Sequence, residues 1–455
     1  MTYDFTSKNK MWLTIGMVVG VICLGWTYFL ADDELHTRFW SNFLHNAVFF
    51  TGIALMAGFF MSASITAWAG WYVNFKRVWE SFSMFLLVAL GLMGIIALGV
   101  FLDWHHLYHW MDTSLIEDPT SDHYDEIMAG KAGFLNKYWY LGGTVILLGI
   151  WFFIVNRIRS ISLAEDQTGS EGFKKHYKIR IWAAAFLPLA GFGSAAMVWQ
   201  WIMSVDAHWY STLFAWYTGA SWFVSMICLT ILVLLFLKSK GYYQSVTIEH
   251  FHDLGKFLFA FSIFWTYLWF SQYMLIWYGN VGEETIYFKE RLDNYSALFY
   301  LNLGINFIMP FFILMRNDTK RKIGSLAFTA GLVLFGHWLD FFLMLKPGIL
   351  HTAHSAMGHG NGHGDSHGDA HGTEAVDHAA EAAHGAGHGA EAAAHHGGEA
   401  LSSFEMGFSM PGILEVGTFI GFLCLFLFFV LNTLTKAPLV PENDPYLDES
   451  NHHHT

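Results

Sequence analysis

Ten runs of mostly apolar residues punctuate the chain, at roughly 11–30, 45–69, 82–102, 138–156, 181–203, 209–237, 256–279, 295–315, 324–345 and 413–434. Each is near the ~20 residues that an α-helix needs to cross a hydrocarbon layer of ~30 Å. The pattern predicts an all-α polytopic membrane protein of about ten transmembrane helices. The first run follows Lys8 and Lys10, outlasts the usual apolar core of a signal peptide and lacks a small-x-small cleavage site, so it reads as an uncleaved helix. "LAGFGSAA" (189–196) puts small residues in the fifth run, where they let helices approach closely. Pro188 and Pro310 predict kinks.

The pattern divides the chain into a nine-helix membrane domain (1–345), a loop (346–412), a tenth helix (413–434) and a tail (435–455). Residues 351–400 of the loop are a low-complexity His/Gly/Ala-rich stretch holding 11 of the 25 histidines. Too few large apolar residues occur there to form a core. Its imidazoles suit zinc, nickel or copper, and a soluble spacer of drifting composition is the competing reading.

Composition agrees with the pattern: 54% of residues are hydrophobic and 13% charged, against about a quarter charged in soluble domains. Charge sets the orientation. Of the 24 Lys and Arg residues, 18 fall in the loops of one side, together with both ends. The positive-inside rule makes that side cytoplasmic and places the His-rich loop outside, in the periplasm if the membrane is a bacterial inner membrane. The three cysteines, Cys23, Cys228 and Cys424, lie far apart inside apolar runs, with no C-x-x-C or C-x-x-C-H spacing. The usual motifs for iron–sulfur ligation or c-type haem attachment are therefore excluded. Trp and Tyr crowd the ends of runs, as in "NKYWY" (136–140), where amphipathic rings form an interfacial belt.

Ionisable residues in or beside membrane spans mark candidate functional sites. At the outer ends stand Asp206 and His208 in "SVDAHWYSTLF" (204–214), Glu283 and Glu284 after the seventh run, and Glu415 at the start of the tenth. "DWHHLYHW" (103–110) adds Asp103, His105, His106 and His109. At the inner end of the seventh run lie His250, His252, Asp253 and Lys256. His337 and Asp340 are deeper, three residues apart on one face of the ninth run. A carboxylate among Phe, Leu and Met must find a partner or take up a proton. Counting inward from Lys346 places Asp340 about 9 Å deep. Bis-histidine haem is disfavoured, because His45, His208 and His337 are each single. Asp206 has a plainer reading as the N-cap of the sixth helix.

Three segments, "MSVDAHWYSTLF" (203–214), "HDLGKFLFAFSIFWTYLWFSQYMLIWYGNVGEETIYF" (252–288) and "GHWLDFFLMLKP" (336–347), resemble the ActF-type membrane subunits of alternative complex III, a bacterial quinol:electron-acceptor oxidoreductase. These belong to the polysulfide-reductase membrane-subunit (NrfD-like) family. The resemblance spans most of 10–345 and implies two four-helix bundles flanked by one helix each. It implies a chain without its own redox centre, with haem c and iron–sulfur clusters on partner subunits and a paralogous NrfD-like subunit as the better place for quinol. It also implies a bacterial inner membrane, with lipid and quinol as small-molecule neighbours and no nucleic acid. Two departures stand out: Gly282 where the family often has proline, which predicts a looser loop, and the His-rich insert.

On this reading the chain is a cofactor-free, structural subunit with a candidate proton path through Asp206, His208, His337, Asp340, Glu283 and Asp253. The alternative is a stand-alone proton- or metal-coupled secondary transporter, which would need His and Asp pairs on facing helices; the sequence offers one pair, on one helix.

Overall fold

The computed structural model describes residues 2–117, 119–120, 124–169, 173–356 and 403–454. These hold ten helices long and apolar enough to cross a membrane. They are α1 (Ser7–Leu30), α2 (Thr37–Thr66), α3 (Val73–Phe101), α4 (Lys137–Thr168), α5 (Lys174–Trp201), α6 (Leu213–Ser239), α7 (Ile248–Gly279), α8 (Ser296–Leu314), α9 (Ile323–Ala356) and α10 (Ile413–Leu434). The protein is an all-α polytopic membrane protein.

Several helices outrun their apolar runs. α4 continues to Thr168, α7 begins at Ile248 and α9 reaches Ala356. An apolar run marks only the part that meets hydrocarbon, whereas backbone hydrogen bonding continues into polar surroundings. Caps set other boundaries: the Asn136 side chain accepts from Trp139 N at 2.9 Å to start α4, and Glu415 reaches back to Gly412 N at 3.0 Å to start α10. Gly282 opens a helix over Gly282–Asp293, two residues after α7. The looser loop expected there is absent, because the first helical position suits proline without requiring it.

α2 to α5 pack in a closed ring, each against the next and α5 back on α2; α6 to α9 form a second such ring. α2 joins the rings by packing on α6 and α9. α1 and α10 do not flank one bundle each. They pair with each other against α2, and α10 also lies on the first turns of α3. The close approach of this pair is at Gly20 and Gly421, where a Cβ on either would fall 2.5 Å from the other's Cα. Inside "LAGFGSAA", Gly193 gives room to Trp151 of α4, whose ring a Cβ would meet at 2.9 Å.

Ten crossings return both described ends to one face, here called the termini face. The tail is a strap across it. Lys76 and Asp444 form a buried ion pair at 2.8 Å. Ser450 accepts from Asn74 N at 3.1 Å and donates to Trp71 O at 2.9 Å. Beyond Ala356, the His-rich stretch lies outside the described residues.

Candidate functional site

Asp340 is fully buried in the second bundle. The Tyr217 hydroxyl (α6) donates to Oδ1, Asn302 Nδ2 (α8) donates to Oδ1 at 2.8 Å, and Trp265 Nε1 (α7) donates to Oδ2 at 3.0 Å. All four helices of the bundle thus meet on one carboxylate. Three donors offset the loss of water that burial imposes. His337 Nδ1 stands 4.0 Å from Oδ2 and 2.8 Å from Ser221 Oγ, while its Nε2 has no hydrogen-bond partner.

α8 is irregular beside this site. Gly304–Ile308 form a π-helical turn just before Pro310. Proline has no N–H and crowds the carbonyl four residues back, that of Asn306, and the wider turn stands where the sequence predicts a kink. Asn306 donates to Asn302 Oδ1 at 2.6 Å and so orients the amide that binds Asp340.

A small cavity of about 10 Å³, counted as room for a water's centre, runs from Asp340 to Arg291. That is space for about one molecule. Gln272, whose buried Nε2 has no partner, also lines it. Arg291, from the helix over Gly282–Asp293, is buried and pairs with Asp206 Oδ2 at 3.0 Å. Its Nε donates to Leu343 O at 2.9 Å. That carbonyl is free because Pro347, four residues on, has no N–H to return to it. The next residue, Gly348, leaves the space that Asp206 fills: a Cβ there would lie 2.6 Å from Asp206 Oδ1. "LKPG" (345–348) thus builds the Arg291–Asp206 contact from α9.

Gly348→Ala is expected to push the Asp206 carboxylate off Arg291 and cost about 1–3 kcal/mol, the usual range for overpacking. Thermal unfolding in detergent checks it, and an unchanged midpoint would mean that the carboxylate moves aside freely.

Asp206 does not cap the sixth helix. It follows a short 3-10 turn (Met203–Val205), and α6 starts only at Leu213, after Thr212. The stretch 204–214 is anchored by contacts remote in sequence: Trp209 stacks on Tyr287 with centroids 4.0 Å apart, and Lys131 donates to Ala207 O at 2.6 Å. His208 pairs not with Asp206 but with Asp125. Burial pushes the Asp125 carboxyl up, but the Met128 and Ile127 amides and His208 outweigh it and hold it below the usual range. Whatever stability this contact gives is present above the ordinary Asp value and lost as pH falls through the lowered one.

The structure therefore unites three of the six proposed path residues. His337 and Asp340 adjoin, and Asp206 joins them through Arg291 and the cavity. His208 is on the same face but pairs elsewhere, and Glu283 is exposed. Asp253 lies at the termini face, bound to Lys256 at 2.5 Å and to His453 at 2.7 Å. His252 stands 3.8 Å from Glu249, and His250 caps α7 through Thr247. His105 is buried against Ile96 O at 3.3 Å, and Asp103, His106 and His109 line an open cleft of about 1020 Å³. His45 stacks on Trp338 and contacts Trp338 O at 2.9 Å.

Lys346 is not at the end of its helix. It is fully buried, ten residues before the end of α9, and donates to Asn42 Oδ1 at 2.7 Å. Asn42 donates in turn to Glu415, which pairs with Arg38 at 2.9 Å. Arg291, Tyr217, Trp265 and Asn302 were not singled out from the sequence; a proline inside an apolar helix was the one available signal.

The fold and this site define the class: an all-α, multi-pass membrane protein with an isolated carboxylate held inside a four-helix ring. No family model matches the chain, and comparison with curated proteins finds no match.

Proposed function

We propose that the chain is an integral subunit of a quinol-oxidising respiratory complex of the alternative complex III type, and that Asp340 carries protons within it. The observation behind the proton role is the line from buried His337 and Asp340, through a water-sized cavity, to Arg291 and Asp206, whose side chain is 23% exposed. A carboxylate next to an imidazole and a water site is the minimum a proton relay needs. Asp340 takes or gives the proton, His337 is its inner partner, and Arg291 fixes the outer end of the line. The line opens to the face opposite the termini, where quinol oxidation would release protons. With the termini cytoplasmic, that face is periplasmic in a bacterial inner membrane.

On this reading haem c and iron–sulfur centres sit on partner subunits, and a paralogous NrfD-like subunit neighbours this chain. The support is the resemblance of residues 203–214, 252–288 and 336–347, two of which contribute the Asp206 and His337–Asp340 parts of the line. Purification from native membranes should bring down haem c and iron–sulfur proteins in fixed ratio, while the chain expressed alone should show no haem spectrum and no stoichiometric iron. A chain that purifies alone from native membranes, and carries a coupled solute when reconstituted, would establish the transporter reading instead.

A further inference from the structure

At the termini face, Glu165 near the end of α4, His176 in the first turn of α5 and Asp444 of the tail bring one ligand atom each to within 4.8 Å of the others. All three residues are buried, at 1%, 4% and 6% exposure. Neither ring nitrogen of His176 has a hydrogen-bond partner, and neither has Glu165 Oε1. Burying a carboxylate and an imidazole unsatisfied is costly, about 1–3 kcal/mol for each polar group and more for a charged one. Asp444 is partly satisfied already: Lys76 Nζ holds Oδ2 at 2.8 Å and Tyr446 N donates to Oδ1 at 3.1 Å.

We propose that Glu165, His176 and Asp444 bind a divalent transition-metal ion that fastens the tail to α4 and α5. Two carboxylates and an imidazole suit zinc or manganese; the imidazole argues against magnesium or calcium, which prefer all-oxygen sites. Donors sharing one ion at about 2.0–2.2 Å stand at most about 4.4 Å apart, so small side-chain rotations close the set. The ion satisfies the groups that the protein alone leaves unmet. The two carboxylates balance its charge, and Lys76 stays paired with Asp444. Glu165 and His176 come from neighbouring helices and Asp444 from a tail more than 250 residues further along the chain, so the ion acts as a staple. Trp68 and Tyr446 pack on the His176 ring, with centroids 5.6 and 5.2 Å away, and limit its movement.

The test uses the full chain in detergent, stripped with a chelator, reloaded with Zn²⁺ or separately Mn²⁺, and desalted. Any metal held by the His-rich stretch is common to wild type and variants, so the difference between them reads this site. Wild type should retain one equivalent more than His176→Gln or Glu165→Gln. Metal should also slow tryptic cleavage at exposed Lys436, several-fold, in wild type alone. Equal metal content in wild type and variants, or no protection of the wild-type tail, overturns the proposal. Should neither variant fold, the wild-type cleavage rates with and without metal decide it.

Discussion

Glu415→Ala is expected to lower the stability of the folded chain by about 3–5 kcal/mol, the range found when one member of a buried ion pair is removed. Glu415 is 1% exposed and sits where α2, α9 and α10 meet. Arg38 pairs with it at 2.9 Å, Asn42 donates to it at 3.1 Å, and Asn42 in turn holds the buried Lys346 ammonium at 2.7 Å. Without the carboxylate, two buried cations lose the charge that Arg38 pairs with directly and that Asn42 links to Lys346. The same change removes the Glu415 bond to Gly412 N that starts α10. Glu415→Gln keeps an acceptor for Arg38 and should cost less than alanine. Equilibrium unfolding in detergent measures both, and a loss below about 1 kcal/mol for alanine would mean that water reaches the cluster.

Asp340→Ala is the second large effect. It strands Tyr217, Trp265 and Asn302, three donors that lose their acceptor together, at about 1–3 kcal/mol for each buried group left unpaired. Asp340→Asn is milder. Its Oδ1 still accepts from Asn302 and Tyr217, so two of the three donors keep their acceptor, while its amide N–H groups meet Trp265 Nε1–H donor to donor. The two variants should therefore separate packing from proton chemistry: alanine impairs assembly, whereas asparagine assembles and loses proton transfer.

The helices were legible because an apolar run of about 20 residues has few other uses. Their grouping into two rings was not, since it rests on contacts between runs rather than on any pattern within one. The site divides the same way. His337 and Asp340 announced themselves as ionisable residues in an apolar helix, and Asp206 did so at a span end. Their partners Tyr217, Trp265 and Asn302 are ordinary members of apolar helices, and Arg291 lies 85 residues from Asp206. Lys346 misled because a lysine ending an apolar run normally sits at the interface; here Asn42, with Glu415 behind it, satisfies it inside. The sequence marks 435–455 only as a tail, and the fold shows that Asp444, Ser450 and His453 reach groups from α3 and α7.

The central claim is that Asp340 moves protons and is not merely a hydrogen-bonding hub. The most direct measurement is quinol turnover and proton-to-electron ratio for the assembled complex carrying Asp340→Asn in sealed vesicles. The account predicts normal subunit content with turnover or proton yield reduced by about a hundredfold, the low end of what a positioned proton-transfer group contributes. Normal assembly with full turnover and an unchanged proton-to-electron ratio would contradict it and make Asp340 a structural residue.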